Sequence, residues 1–310
     1  MSGGRALVVG GTGFIGGHLV RALAARGTAV RVMARGHSRL PRFDAGVEVV
    51  VGDVGNQGRL ASALDGAATV YHLASSTVPA SSAADPAFDF TTNVVAALPL
   101  IEACASRGIR LVFTSSGGTV YGTPETLPIP ETHETWPIST HGVGKLAVEK
   151  LLYAFGRNRG LDYRILRLSN VYGEGQTPRS GMGVVAAFLE NVLAGRAIEL
   201  WGDGTQRRDF LYVADAVAAL VGMGELEAPR WRLVNLGSGE ATAVGDLLEL
   251  VFGVVGRRTE VRRLPARSFD VPANVLDIGR AREMLAFEPR TSLDQGIRST
   301  WRWLTSSAAG

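Results

Sequence analysis

"VVGGTGFIGGHLV", residues 8–20, is the stretch that decides the fold. Upstream, "RALVV" is an apolar run of strand length. Downstream, "FIGGHLVRALAARG" repeats its apolar residues at helical period and stops at Gly27. Gly10, Gly13 and Gly16 therefore fall in a strand-to-helix turn, each with its own task. Gly10 permits the tight turn, Gly13 lets the backbone approach a pyrophosphate, and Gly16 lets the helix lie close to the sheet. The first helical amides, with Phe14 and Ile15 at the helix start, then face the phosphates. A dinucleotide site on Gly10, Gly13, Phe14, Ile15 and Gly16 is the expectation.

Such a site usually places an acid roughly 20 residues on, at the end of the second strand, to hold a ribose 2′-hydroxyl. Here that position is Ala34, followed by Arg35. With Ser38 and Arg39, Arg35 is suited to a 2′-phosphate, because a guanidinium meets phosphate as a fork. The cofactor reads as NAD or NADP, with a lean to NADP. Asp53, next to Val54 at the end of the third strand, is placed either to accept from the adenine amino group or to cap a turn.

Outward from the loop, strands and helices alternate. "AVRVMAR", "VEVVVGD", "ATVYHLAS", "RLVFTSS" and "DYRILRLSNVYG" are nearly all-apolar strands. "NVVAALPLIEACASRG" and "GVGKLAVEKLLYAFGRNRG" are helices. Alternation with apolar strands argues a parallel sheet covered on both faces. The fold class is α/β: a Rossmann-type doubly wound parallel sheet with a smaller, discontinuous α/β substrate domain. The boundaries read as 1–170 plus about 209–237 for dinucleotide binding, and 171–208 with 238–310 for the substrate. Beyond "RLVNLGSG" the chain reads as helix and loop.

Composition excludes several classes. Of 310 residues, 46% are hydrophobic and 20% charged, as in a packed globule. The net charge is +3 and no run of five like charges occurs, so nucleic acid and membrane surfaces are not expected partners. No apolar run reads as reaching the roughly 18 residues of a membrane span. The N-terminal residues run straight into a strand, so a signal peptide is not expected. Cys104, the sole cysteine, fits a reducing cytoplasm and a buried apolar role. His18, His37, His72 and His133 have no metal-ligand spacing, so no metal is expected.

The motifs "GGTGFIG", "VYHLAS", "SSGGTVYG", "RLSNVYG", "GDGTQRRDFLYVADA" and "PARSFDVPANVLDIGRAREMLAFEP" follow one another in order. Together with a helix carrying Lys145, they give a chain that resembles the extended short-chain dehydrogenase/reductase family. In particular, it resembles NAD(P)-dependent epimerases/dehydratases of the UDP-glucose 4-epimerase kind. The resemblance runs nearly end to end. It implies a nucleoside-diphosphate sugar substrate, a UDP-sugar by that analogy, and a cytoplasmic homodimer. It implies that Leu73 and Ala74 line the nicotinamide side and that Lys145 holds the nicotinamide ribose. It implies that Asn170, Arg208 and Arg267 surround the substrate diphosphate. Dimerisation would use the two helices above, with Ala96, Ala97, Ala103, Leu146, Leu151 and Leu152 as an apolar stripe.

The same resemblance exposes two departures. Where the family has a tyrosine base, four residues before Lys145, this chain has His141. Where it has a catalytic hydroxyl, three residues before Val120, it has Gly117, flanked by Ser116 and Thr119. Imidazole is a common general base. Beside Lys145 and an oxidised nicotinamide it should stay neutral, and neutral imidazole accepts a proton. Three readings are open. His141 is the base, with Ser116 or Thr119 assisting; the site binds without turnover; or His141 is structural and another group acts. The reactions in view are epimerisation at C4 of a UDP-hexose through a 4-keto sugar, NADPH-dependent reduction of a keto sugar, and sugar-nucleotide binding alone.

Overall fold

The computed structural model describes residues 4–36, 43, 46–77, 79–177, 183–267 and 271–308. His37, Ser38 and Arg39 lie outside them. Two compact units emerge. The first comprises Met1–Ser116, Thr140–Arg167 and Val217–Val234. The second comprises Gly117–Ser139, Leu168–Ala216 and Asn235–Gly310.

The first unit is built on a seven-stranded sheet. Its strands are β1 (Arg5–Val9), β2 (Val30–Ala34), β3 (Glu48–Val51), β4 (Ala67–His72), β5 (Arg110–Ser116), β6 (Tyr163–Leu168) and β11 (Leu233–Leu236). They are ordered β11-β6-β5-β4-β1-β2-β3, and the β1–β2, β1–β4, β2–β3 and β4–β5 pairings are parallel. The order reverses between β1 and β4, which opens a crevice at their carboxyl ends. β2 is buried along its whole length, as a strand covered on both faces must be. The helices are α1 (Phe14–Ala25), α2 (Gln57–Ala63), α3 (Pro79–Ala84), α4 (Pro86–Asp89), α5 (Leu98–Arg107) and α6 (Thr140–Arg159). α8 (Val213–Glu225) begins in the second unit and ends in the first. Val148 and Leu152 anchor α6 in a core shared with Leu100, Ile101, Leu111 and Phe113.

Two expectations need correction. The helix read from Asn93 begins earlier: α4 runs into a π-turn at Phe90–Val94 and a 3-10 turn at Val95–Ala97 before α5. Asp85 caps α4 by accepting from the Phe88 amide, a local signal that the apolar period does not carry. Second, the 22-residue run Pro86–Arg107 is long and apolar enough to cross a membrane by length and composition. A third of its most apolar window (33%) is buried in the fold, and Leu100, Ile101 and Cys104 lie in the core.

The second unit is made of shorter pieces. Its strands are β7 (Asn170–Tyr172), β8 (Ile198–Trp201), β9 (Arg207–Arg208), β10 (Phe210–Tyr212), β12 (Thr242–Ala243), β13 (Val261–Leu264) and β14 (Ala273–Asn274). Its helices are α7 (Val184–Leu193), α9 (Val244–Val255), α10 (Gly279–Leu285) and α11 (Leu293–Ala308). Phe188, Leu189, Leu247, Val251 and Ile297 form its core. The stretch read as helix and loop thus holds strands too. β13 pairs in parallel with β8, but "VRRL" is too short and too charged to announce itself.

Candidate active site

The glycine loop follows β1. Gly10 adopts φ +90°, and a Cβ there would lie 2.7 Å from the Ala74 amide nitrogen, so only glycine serves. A Cβ on Gly16 would strike the Gly10 carbonyl oxygen. Gly13 differs. Its φ is −82°, open to any residue, and its Cβ would meet only the Gly10 oxygen at 3.3 Å. Gly13 is the N-cap of α1 without a side-chain cap, so the amides of Phe14, Ile15 and Gly16 have no intrahelical acceptor. That cradle, which a Cβ at Gly13 would narrow, fits a pyrophosphate at a helix N-terminus.

The other coenzyme positions lie along the same sheet edge. Leu73 extends β4 by donating its amide to the Val9 carbonyl at 2.9 Å, and Ala74 follows beneath Gly10. Ala34 ends β2 and is buried. Arg35 Nη1 donates to Ser76 Oγ at 3.0 Å, which holds the guanidinium at the strand end. Asp53 is exposed and its Oδ1 accepts from the Gly55 amide at 2.9 Å; Val54 packs against the core. Ser38 lies outside the described residues.

Helix α6 carries His141 and Lys145 one turn apart, a spacing that puts both on one face. Lys145 Nζ donates to the Thr114 carbonyl at 3.0 Å and sits 5.0 Å from the centre of the Phe113 ring. Burial lowers its pKa to about 8, against the opposing charges of Asp89 and Glu149. His141 is buried, and burial, then the Lys145 charge, lower its pKa to about 4, with Asp89 opposing. The imidazole is therefore neutral at physiological pH. A small hollow, about one water molecule in size, is lined by His72, Asp89, Asn93, Phe113, His141 and Lys145 among others.

Strand β5 ends with alternating directions. Ser115 points into the core and donates to Glu149 Oε1 at 2.5 Å, while Ser116 is half-buried at the strand's end. Glu149 also accepts from Arg167 Nε at 3.0 Å and Nη2 at 2.6 Å, a buried fork. Gly117 and Thr119 belong to the second unit. Gly117 is fixed by its backbone: its amide donates to Leu168 and its carbonyl accepts from Asn274. The Thr119 hydroxyl is buried with no hydrogen-bond partner among the described residues.

The three proposed diphosphate contacts are all in the second unit. Asn170 Nδ2 donates to the Asp209 carbonyl at 3.0 Å. Arg208 Nη1 donates to the carbonyls of Arg207 and Val271, at 2.9 and 2.8 Å. The Arg267 guanidinium lies 5.5 Å from the centre of the Trp201 ring.

Residue patterns alone missed a cluster beside His141. Asp89, 1% exposed, accepts from Thr77 Oγ1, from Ser82 Oγ at 2.5 Å and from Asn93 Nδ2 at 2.6 Å. Burial would raise its pKa; the bonds from Ser82, Thr77 and Asn93, then the His141 charge, hold it low. His72 is 5% exposed, its Nδ1 has no hydrogen-bond partner among the described residues, and burial, then Lys145, lower its pKa to about 3. The one available signal was an aspartate inside an apolar helical run.

A family model described as the NAD dependent epimerase/dehydratase family matches residues 6–237. The chain belongs to that family. It is 36% identical over 307 residues to a UDP-glucose 4-epimerase of Mycolicibacterium smegmatis, covering 96% of this chain and 97% of the relative. The Thermotoga maritima UDP-glucose 4-epimerase, solved with UDP-glucose, superposes with TM-score 0.93 at 33% identity, covering 98% of this chain and 99% of that one. The Thermus thermophilus UDP-glucose 4-epimerase, solved with NAD, gives 0.90 at 33% identity, with coverage of 98% and 99%. This is an epimerase/dehydratase-type enzyme of the extended short-chain dehydrogenase/reductase family.

Proposed function

We propose that this family member interconverts the C4 epimers of a UDP-hexose, with His141 as the proton acceptor. The observation that carries the reading is the pair on α6: a neutral imidazole and Lys145, one turn apart, lining one hollow. The likeness to UDP-glucose 4-epimerases over nearly the whole chain supports it.

The residues divide the work. Gly10, Gly13 and Gly16 and the first amides of α1 would hold the coenzyme's pyrophosphate, and Leu73 and Ala74 would flank its nicotinamide. When bound, an oxidised nicotinamide would supply a reversible hydride acceptor for the C4 hydrogen. His141 takes the C4 hydroxyl proton and gives it back, so no net oxidation remains. Ser116, or Thr119, orients that hydroxyl. Lys145, held on the Thr114 carbonyl, supplies positive charge and binds the nicotinamide ribose. Asn170, Arg208 and Arg267 receive the UDP diphosphate, since guanidinium forks suit its charge.

One observation favours a second reading. Ala34 cannot hold a ribose 2′-hydroxyl, and Arg35 is fixed at the strand end by Ser76. That pair suits NADP and, with it, reduction of a keto sugar. The coenzyme that copurifies separates the two: tightly held NAD supports epimerisation, and exchangeable NADPH supports reduction.

We also propose a cytoplasmic homodimer without nucleic-acid or membrane partners. Phe88 (50% exposed), Val95 (55%), Val143 (40%) and Tyr153 (56%) form the apolar surface for it on α4, α6 and the helical turn linking α4 to α5. Ala97 and Leu152 from the expected stripe are spent on the monomer's own core. The test of function is conversion of UDP-galactose to UDP-glucose by wild type and by His141→Gln. Turnover abolished by the substitution is expected. Equal turnover refutes His141 as base, and sugar-nucleotide binding without any turnover supports a binding protein instead.

A further inference from the structure

A histidine base changes the charge balance of its site. A phenolate that accepts a proton goes from −1 to neutral, whereas neutral imidazole goes to +1. At His141 that positive charge would form beside Lys145, in a buried place, where two like charges resist each other. The site needs a nearby anion that is not already neutralised.

The elements packed around the first turns of α6 offer few. α3, α4, the π-turn, α5 and β5 all pack against it. The charged or titratable groups facing the hollow are His72 at the end of β4, Asp89 on α4, and His141 and Lys145 on α6 itself. His72 is neutral and buried. Glu149, one turn beyond Lys145, is committed to Arg167 in a bidentate pair. Asp89 remains. Among the described residues it forms no ion pair; neutral donors alone hold it, namely Thr77, Ser82 and Asn93.

Geometry ties Asp89 to the His141 turn at two points. Ser82 Oγ bridges Asp89 Oδ2, at 2.5 Å, and Thr140 Oγ1, at 2.6 Å, and Thr140 directly precedes His141. On the same helix face, three residues after His141, a Cβ on Gly144 would lie 3.6 Å from Asp89 Oδ2. The bare helix backbone at Gly144 thus lets the carboxylate approach the turn that carries the imidazole.

We propose that Asp89 is the counter-charge of His141, a positioning residue whose buried carboxylate stabilises the imidazolium formed when His141 takes the sugar proton. The proton moves from the C4 oxygen to a ring nitrogen, and Asp89 keeps its charge throughout. This rests on the reading of His141 as base, and the test keeps the two apart.

Asp89→Asn is made in the wild-type and in a His141→Tyr background, and turnover of UDP-galactose is measured. With histidine, loss of the carboxylate is expected to lower kcat about tenfold, for a shift of roughly one unit in the basicity of the imidazole. With tyrosine, the same change is expected to leave kcat unchanged or raise it, because a carboxylate opposes a phenolate. An equal loss in both backgrounds overturns the proposal in favour of a purely structural role. A second measurement needs no turnover: imidazole NMR from pH 8 to pH 4. The wild-type His141 ring begins to titrate at the acid end, and the Asp89→Asn ring does not. Identical curves overturn the proposal, even where inactive His141→Gln upholds His141 as base. Normal activity in His141→Gln refutes the base, while the NMR curves still decide whether Asp89 sets the imidazole's charge. Should Asp89→Asn fail to fold, Gly144→Ser serves. It leaves the carboxylate in place and adds a hydroxyl donor against Oδ2, and a smaller loss in the same direction is expected. No loss of kcat in this folded variant counts against the proposal.

Discussion

Replacing Glu149 by glutamine tests the support beneath Lys145. Arg167 and Glu149 are 4% and 3% exposed at their side chains and share two hydrogen bonds. Glutamine keeps the shape and can still accept from Ser115, but it leaves a buried guanidinium without its anion. Two unit charges about 4 Å apart at an effective dielectric near 20 interact by about 4 kcal/mol. Breaking a buried pair from one side costs a comparable 3–5 kcal/mol, roughly. Glu149→Gln is therefore expected to lose about 4 kcal/mol in urea unfolding, and of order 10 °C in the unfolding midpoint of the first unit. Adding Arg167→Met should recover most of that loss, because an apolar pair of similar volume removes the uncompensated charge. A loss under about 1 kcal/mol in the single variant, or a double variant worse than the single, would refute the reasoning.

Three further outcomes are expected. Gly13→Ala should weaken coenzyme binding about tenfold, or about 1.4 kcal/mol by calorimetry, with unchanged stability, whereas Gly16→Ala should destabilise by roughly 1–3 kcal/mol. The acid limb of stability should be steep. His72 and His141 have folded pKa values of about 3 and about 4, below the unfolded 6.5, so the unfolded chain binds more protons between those values. Stability therefore falls as pH drops through 6.5, by about 3 kcal/mol per histidine at pH 4, and His72→Leu should remove its share in urea titrations across that range. Finally, Val95→Lys with Tyr153→Glu should convert a dimer to monomer by sedimentation; an unchanged mass would place any interface elsewhere.

Local chain features were the legible part. The glycine loop is contiguous, and backbone geometry alone dictates Gly10 and Gly16, so spacing sufficed. His141 and Lys145 share one helical face and could be paired by counting. The Asp89 cluster was not legible in this way. Its donors Thr77, Ser82 and Asn93 come from the loop after β4, from α3 and from the π-turn after α4, and only folding brings all three to one carboxylate. The π-turn at Phe90–Val94 further breaks the period by which Asp89 would have been assigned a face. β12 and β14 have two residues each, too few for any alternation to register.

The chain passes from one unit to the other at residues 116/117, 139/140, 167/168, 216/217 and 234/235. No single nick releases either half whole, and no one recombination breakpoint can graft a new specificity half onto an old one, as it can where domains follow like beads. Exchanging either half between relatives would need several simultaneous crossovers.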